Sequence, residues 1–99
     1  MLFGYAPGMP ETFILKWSRT WADVADDFTG RDLEDSTSFI RVYRQHATSD
    51  PAKAWAWMVT IDQQRVASGH EADGPEGARP AVRAAERAWA EWTARGGRG

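Results

Sequence analysis

Six tryptophans fall in three close pairs along a chain of 99 residues, and the spacing within each pair constrains the fold more than any other feature. Trp55 and Trp57 are two apart, the period of a β-strand, in the run Trp55-Ala56-Trp57-Met58-Val59-Thr60-Ile61. Alternation puts both indoles on one sheet face with Val59 and Ile61. Trp89 and Trp92 are three apart in a segment where Ala81, Val82, Ala85, Ala88, Trp89 and Trp92 share one stripe at 100° per residue, the mark of an amphipathic helix. A buried aromatic side chain removes on the order of 150–250 Å² from water, so these tryptophans supply much of a small core. The helix is the natural cover for the Trp55–Trp57 face. Trp17 and Trp21 are four apart and belong with Ile14, Val24 and Phe28 in a helical pattern, yet Ser18, Thr20 and Asp26-Asp27 are poor helix interiors. A strand at about 12–18, a loop carrying Trp21 and a second short strand at about 28–33 is the preferred reading. An exposed tryptophan is to be sought at Trp17 or Trp21.

The remaining elements follow from turn chemistry. Glu34 to Ser38 is polar turn material, and Phe39 to Arg44 is rich in β-formers and reads as a strand. Thr48-Ser49-Asp50-Pro51 is a further turn before the strand at 55–61, and Arg65 to His70 adds a short edge strand broken by Gly69. The helix runs from Pro80 to Arg95, with Pro80 in its first turn, Gly96-Gly97 as its stop, and Arg83, Glu86, Arg87 and Glu91 turned outward. Asp73 and Glu76 have capping-box spacing and place a separate turn before it. The expected fold is α+β: a three- to four-stranded antiparallel sheet packed on one C-terminal amphipathic helix. It forms a single domain over 12–95, with a flexible lead-in over 1–11 and a disordered tail over 96–99.

Composition narrows the chemistry. With 42% hydrophobic and 26% charged residues the chain is not a disordered one. A formal net charge of −2 gives no global attraction to phosphate backbones or anionic lipid. The absence of cysteine removes disulfides, thiolate zinc sites, iron–sulfur clusters and cysteine nucleophiles, and fits a reducing, cytoplasmic setting. Met1 to Pro10 has no basic n-region, and no stretch approaches the roughly 20 apolar residues that span a bilayer, so neither leader nor membrane association is expected.

His46 and His70 are the only histidines, and a metal site would need carboxylates from Asp50, Glu71 or Asp73 beside them. His70-Glu71-x-Asp73 has no established ligand spacing and fits a solvated loop better. No G-x-S-x-G elbow or phosphate loop occurs, and the adjacent acids Asp26-Asp27 and Glu34-Asp35 read as solvated turn charges rather than an acid and base pair. No catalytic residue, metal or cofactor is expected.

One surface is left that a single helix cannot cover. If Ile40 and Val42 face the helix, Phe39, Arg41, Tyr43 and Gln45 face away, joined by Ala54, Ala56, Met58 and Thr60 of the next strand. Aromatic residues, Arg and Met are enriched at protein interfaces, which makes Phe39, Arg41, Tyr43 and Met58 the candidate partner-binding residues. As surface residues, Arg41 and Tyr43 should cost little stability when removed.

Trp17, Trp21, Asp27-Phe28, Arg41-Val42-Tyr43, Trp55-x-Trp57-x-Val59, Gly69-His70 and Ala85-Glu86-x-Ala88-Trp89 together form an outline that resembles a loose group of small bacterial proteins of uncharacterised activity. The likeness spans about residues 15 to 92, with Ile40 standing where the group has glycine. It implies a sheet-plus-helix domain and brings no activity with it. The functional expectation is a non-catalytic module that binds another protein or itself, as an inhibitor or modulator occluding a partner's surface would. The alternative is a nucleic-acid-binding sheet with Arg41, Arg44, Lys53 and Arg65 as its basic patch, which the acidic balance disfavours.

Overall fold

A computed structural model describes residues 13–46 and 48–95. The strand signals become five strands, β1 (Lys16–Arg19), β2 (Asp27–Asp32), β3 (Asp35–Arg44), β4 (Trp55–Ile61) and β5 (Gln64–Glu71), followed by the helix α1 (Arg79–Ala94). Each strand pairs antiparallel with the next, giving one meander in the order β1-β2-β3-β4-β5. The class is the expected α+β, with five strands in place of three to four. The lead-in and tail expected over 1–11 and 96–99 lie outside the described residues.

The extra strand length comes from polar residues. The segment expected to be a turn over 34–38 is mostly the start of β3, because the Asp35 carboxylate accepts from the Thr37 amide and hydroxyl and from the Ser38 hydroxyl, satisfying groups that would otherwise favour a loop. The actual connection is Leu33-Glu34. Ser38 is buried and its Oγ accepts from the Asp62 amide at 3.0 Å. That bond helps hold the two-residue β4–β5 turn, where Asp62 and Gln63 both take positive φ (51° and 69°) as a type I′ hairpin requires. Gln63 N–H also donates to Thr37 carbonyl at 2.9 Å, tying the turn back to β3.

The helix lies across β3, β4 and β5. Ala81, Val82 and Ala85 are small enough to bring it close, and with Trp89 they cover Ile40, Val42, Trp55, Val59 and Ile61 in one core. On this face the register aligns Trp17 with Gly30 and Trp57 with Gly69. A Cβ on Gly30 would lie 2.7 Å from the Trp17 indole, and one on Gly69 would collide with the Trp57 indole. Each bulky ring therefore lies over a position that carries no side chain. Gly69 does not break β5 as expected; it lies within the strand and makes room for tryptophan.

Three further expectations are corrected by packing. Glu86 is buried rather than outward, because the segment before β1 runs beside α1. Its carboxylate accepts from the amides of Ile14 (2.9 Å) and Leu15 (3.0 Å) and from Trp17 Nε1 (2.7 Å). Ala54 belongs to the core and not to the outward set. The separate turn expected before α1 is present over 75–78, with Gly77 N–H donating to the Gly74 carbonyl at 3.1 Å, but the capping-box pair is engaged elsewhere: Asp73 accepts from Arg44 and from Trp55 Nε1, and Glu76 pairs with Arg83. Among the described residues no helix is long and apolar enough to cross a membrane.

Candidate binding face

Strand alternation under α1 leaves the other side of the sheet uncovered by any described element. Across that side the register sets up three transverse rows. One is Lys16, Arg31, Phe39, Thr60 and Arg65; the next is Ser18, Thr29, Arg41, Met58 and Ser68; the third is Asp27, Tyr43, Ala56 and His70. The four candidate residues Phe39, Arg41, Tyr43 and Met58 thus share this face, all half-buried, with Arg41 directly opposite Met58. Gln45 lies beyond the end of β3, where its side-chain amide donates to the Lys53 carbonyl.

Arg41 is not a free surface cation. Its Nε donates to Asp27 Oδ1 at 3.0 Å and its terminal nitrogen to Oδ2, a two-pronged pairing between β3 and β2. The same guanidinium lies over the Tyr43 ring, 4.6 Å from its centre. Asp27 itself is 5% exposed. Burial pushes its carboxyl up, but hydrogen bonds from Arg41, Thr20 and Trp21, together with the Arg41 charge, outweigh burial and hold it below the ordinary carboxylate range. Asp27 therefore remains ionised at neutral pH and fixes the plane of the guanidinium.

The loop from 20 to 26 brings Trp21 to the border of this face. Thr20 N–H donates to the Asp27 carbonyl at 2.9 Å, and the Thr20 and Thr29 hydroxyls pair at 2.6 Å, so the loop starts from a fixed point. Trp21 remains 55% exposed, and its proximity helps to hold the Asp27 carboxyl down. It is the exposed tryptophan sought at Trp17 or Trp21; Trp17 is half-buried against the core. The part played by Asp27 was hidden in the sequence, since its partner lies 14 residues away. The only hint is the alternation of Asp27, Thr29 and Arg31 around buried Phe28.

A shallow concavity occupies one end of the face, lined by Phe39, Met58, Thr60 and Arg65 with Thr37 and Gln63. Of the suggested basic patch only Arg41 and Arg65 lie on this face of the sheet, and only Arg65 lines the concavity. Arg44 is on the helix side, over the Trp55 ring and bonded to Asp73, and Lys53 is in a short 3-10 turn (Pro51–Lys53) beyond the sheet. His70 and Glu71 alternate to opposite faces, and no three metal-ligating side chains converge among the described residues.

No family model, curated protein or solved structure matches the chain. The functional reading therefore rests on this face and its residues.

Proposed function

We propose that this chain is a non-catalytic module that binds another protein through the open sheet face, acting by occupying the partner's surface. The observation that carries the reading is the placing of Arg41, Tyr43 and Trp21 together around Asp27. These are the residue types that dominate affinity at interfaces, and Arg41 is already held in one geometry, so less ordering entropy is lost on binding. Half-buried Phe39 and Met58 extend the apolar part of the patch. Asp27 is a poor base for chemistry, because its pKa is lowered and both carboxylate oxygens are taken by Arg41. Nucleic-acid binding is the weaker reading: Arg44 and Lys53 are off the face, and one side of the Tyr43 ring is already taken by Arg41.

A photo-cross-linking residue in place of Met58, compared with one in place of exposed Arg87 on α1, tests the reading in the native host. Discrete protein adducts from position 58 and none from 87 are expected. Adducts from 87 alone would move the interface to the helix.

A further inference from the structure

Charge is unevenly distributed over this acidic chain. Lys16, Arg31 and Arg65 are all exposed, none is in an ion pair among the described residues, and all three lie in the row that crosses the open face at Phe39 and Thr60. By contrast, Arg41, Arg44 and Arg83 are each matched by a carboxylate. The uncommitted cations of the face are therefore aligned, while the chain as a whole carries −2.

Strands lie about 4.8 Å apart, so Arg31 and Arg65, separated by three strand intervals, are roughly 14 Å apart along the row. An extended peptide rises about 3.3 Å per residue, so side chains at i and i+4 on one of its faces span roughly 13 Å. The side chain at i+2 then falls midway, between Phe39 and Thr60 and beside Met58, where Phe39 and Met58 supply an apolar spot in a slightly concave surface otherwise edged by polar residues. Two anions flanking an apolar residue at alternate positions match this surface in both charge and spacing.

Resting on the open-face reading, we propose that the partner presents an extended acidic segment, with acidic residues at i and i+4 and an apolar residue at i+2, laid across the strands along the Lys16–Arg31–Phe39–Arg65 row. The steering is electrostatic, so association weakens with salt.

The test uses a short peptide containing Glu-Ser-Leu-Ser-Glu, its Gln-for-Glu counterpart and a ten-nucleotide thymidine strand, each titrated to millimolar concentration against the full chain with amide shifts as readout. The Glu peptide should move Phe39, Met58 and Arg65, bind more weakly at higher salt, and lose about tenfold or more in affinity for Arg31→Glu/Arg65→Glu but not for Arg87→Glu. A Lys-for-Glu peptide should recover binding to the double variant, which a folding defect could not produce. Equal binding of the Glu and Gln peptides, or no shift at all, would overturn the acidic-segment proposal. Tighter binding of the thymidine strand through the same residues would overturn it in favour of nucleic acid. Cross-links from position 58 that persist while the peptide fails leave the open face as the interface and remove only this partner chemistry; loss of both removes the face itself.

Discussion

The guanidinium of Arg41 grips both oxygens of the Asp27 carboxylate across the β2–β3 pair, on the side of the sheet away from the helix. Alternation alone would make Arg41 a surface residue whose loss costs within about 1 kcal/mol. The pairing changes that expectation, because Arg41→Ala strands a carboxylate that is 5% exposed. A cost of about 2–3 kcal/mol is expected by urea unfolding. Removing both partners, as in Asp27→Asn/Arg41→Ala, should cost less than the sum of the two single changes.

The same pair sets an acid limit. Asp27 has a folded pKa below its unfolded value, so its contribution is complete above the unfolded pKa of about 3.9 and is lost as pH falls through the folded value. Asp73 and Glu76 are lowered too, by hydrogen bonds from Arg44 and Arg83 at the surface. Stability followed by denaturation should therefore fall below about pH 4, and Asp27→Asn should flatten that fall. An unchanged pH profile in Asp27→Asn would mean that other carboxylates set the acid limit.

Glu86 fastens the segment before β1 to the helix. Glu86→Ala leaves two backbone amides and one indole N–H without their acceptor, at an expected cost of about 3 kcal/mol or more. The change is local, so hydrogen exchange at Ile14 and Leu15 should accelerate more than at Val42 or Val59 in the sheet centre. Glu86→Gln should fall between the two, since its amide nitrogen cannot accept.

Steric demand separates three glycines. Gly30→Ala and Gly69→Ala push a methyl group into the Trp17 and Trp57 rings, and each should cost about 1–3 kcal/mol. Gly74 has open space around it, so Gly74→Ala should leave the thermal midpoint unchanged or slightly raised.

These sites show where sequence reading succeeds. The strand over Trp55–Ile61, the helix and the sidedness of Phe39, Arg41, Tyr43 and Met58 are carried by local periodicity, which survives folding unchanged. Asp35 to Ser38 misled because polar side chains that look like a turn satisfy one another within a strand. Glu86, Gly30 and Gly69 take their meaning from partners that are distant in sequence or a strand away, and no local pattern announces those. Asp27 read as one of two solvated acids, when its neighbour in space is Arg41.

The most direct measurement is the affinity of the cross-linked partner, once purified, for the wild type and for Trp21→Ala/Tyr43→Ala, by calorimetry. Both substitutions remove neighbours of the Asp27–Arg41 pair but neither of its two partners, whose hydrogen bonds run directly between them, and the circular dichroism of the variant should match the wild type. A loss of about 2 kcal/mol or more is predicted for residues at the heart of an interface. Equal affinity of the folded variant and the wild type would contradict the assignment of the open face as the binding surface.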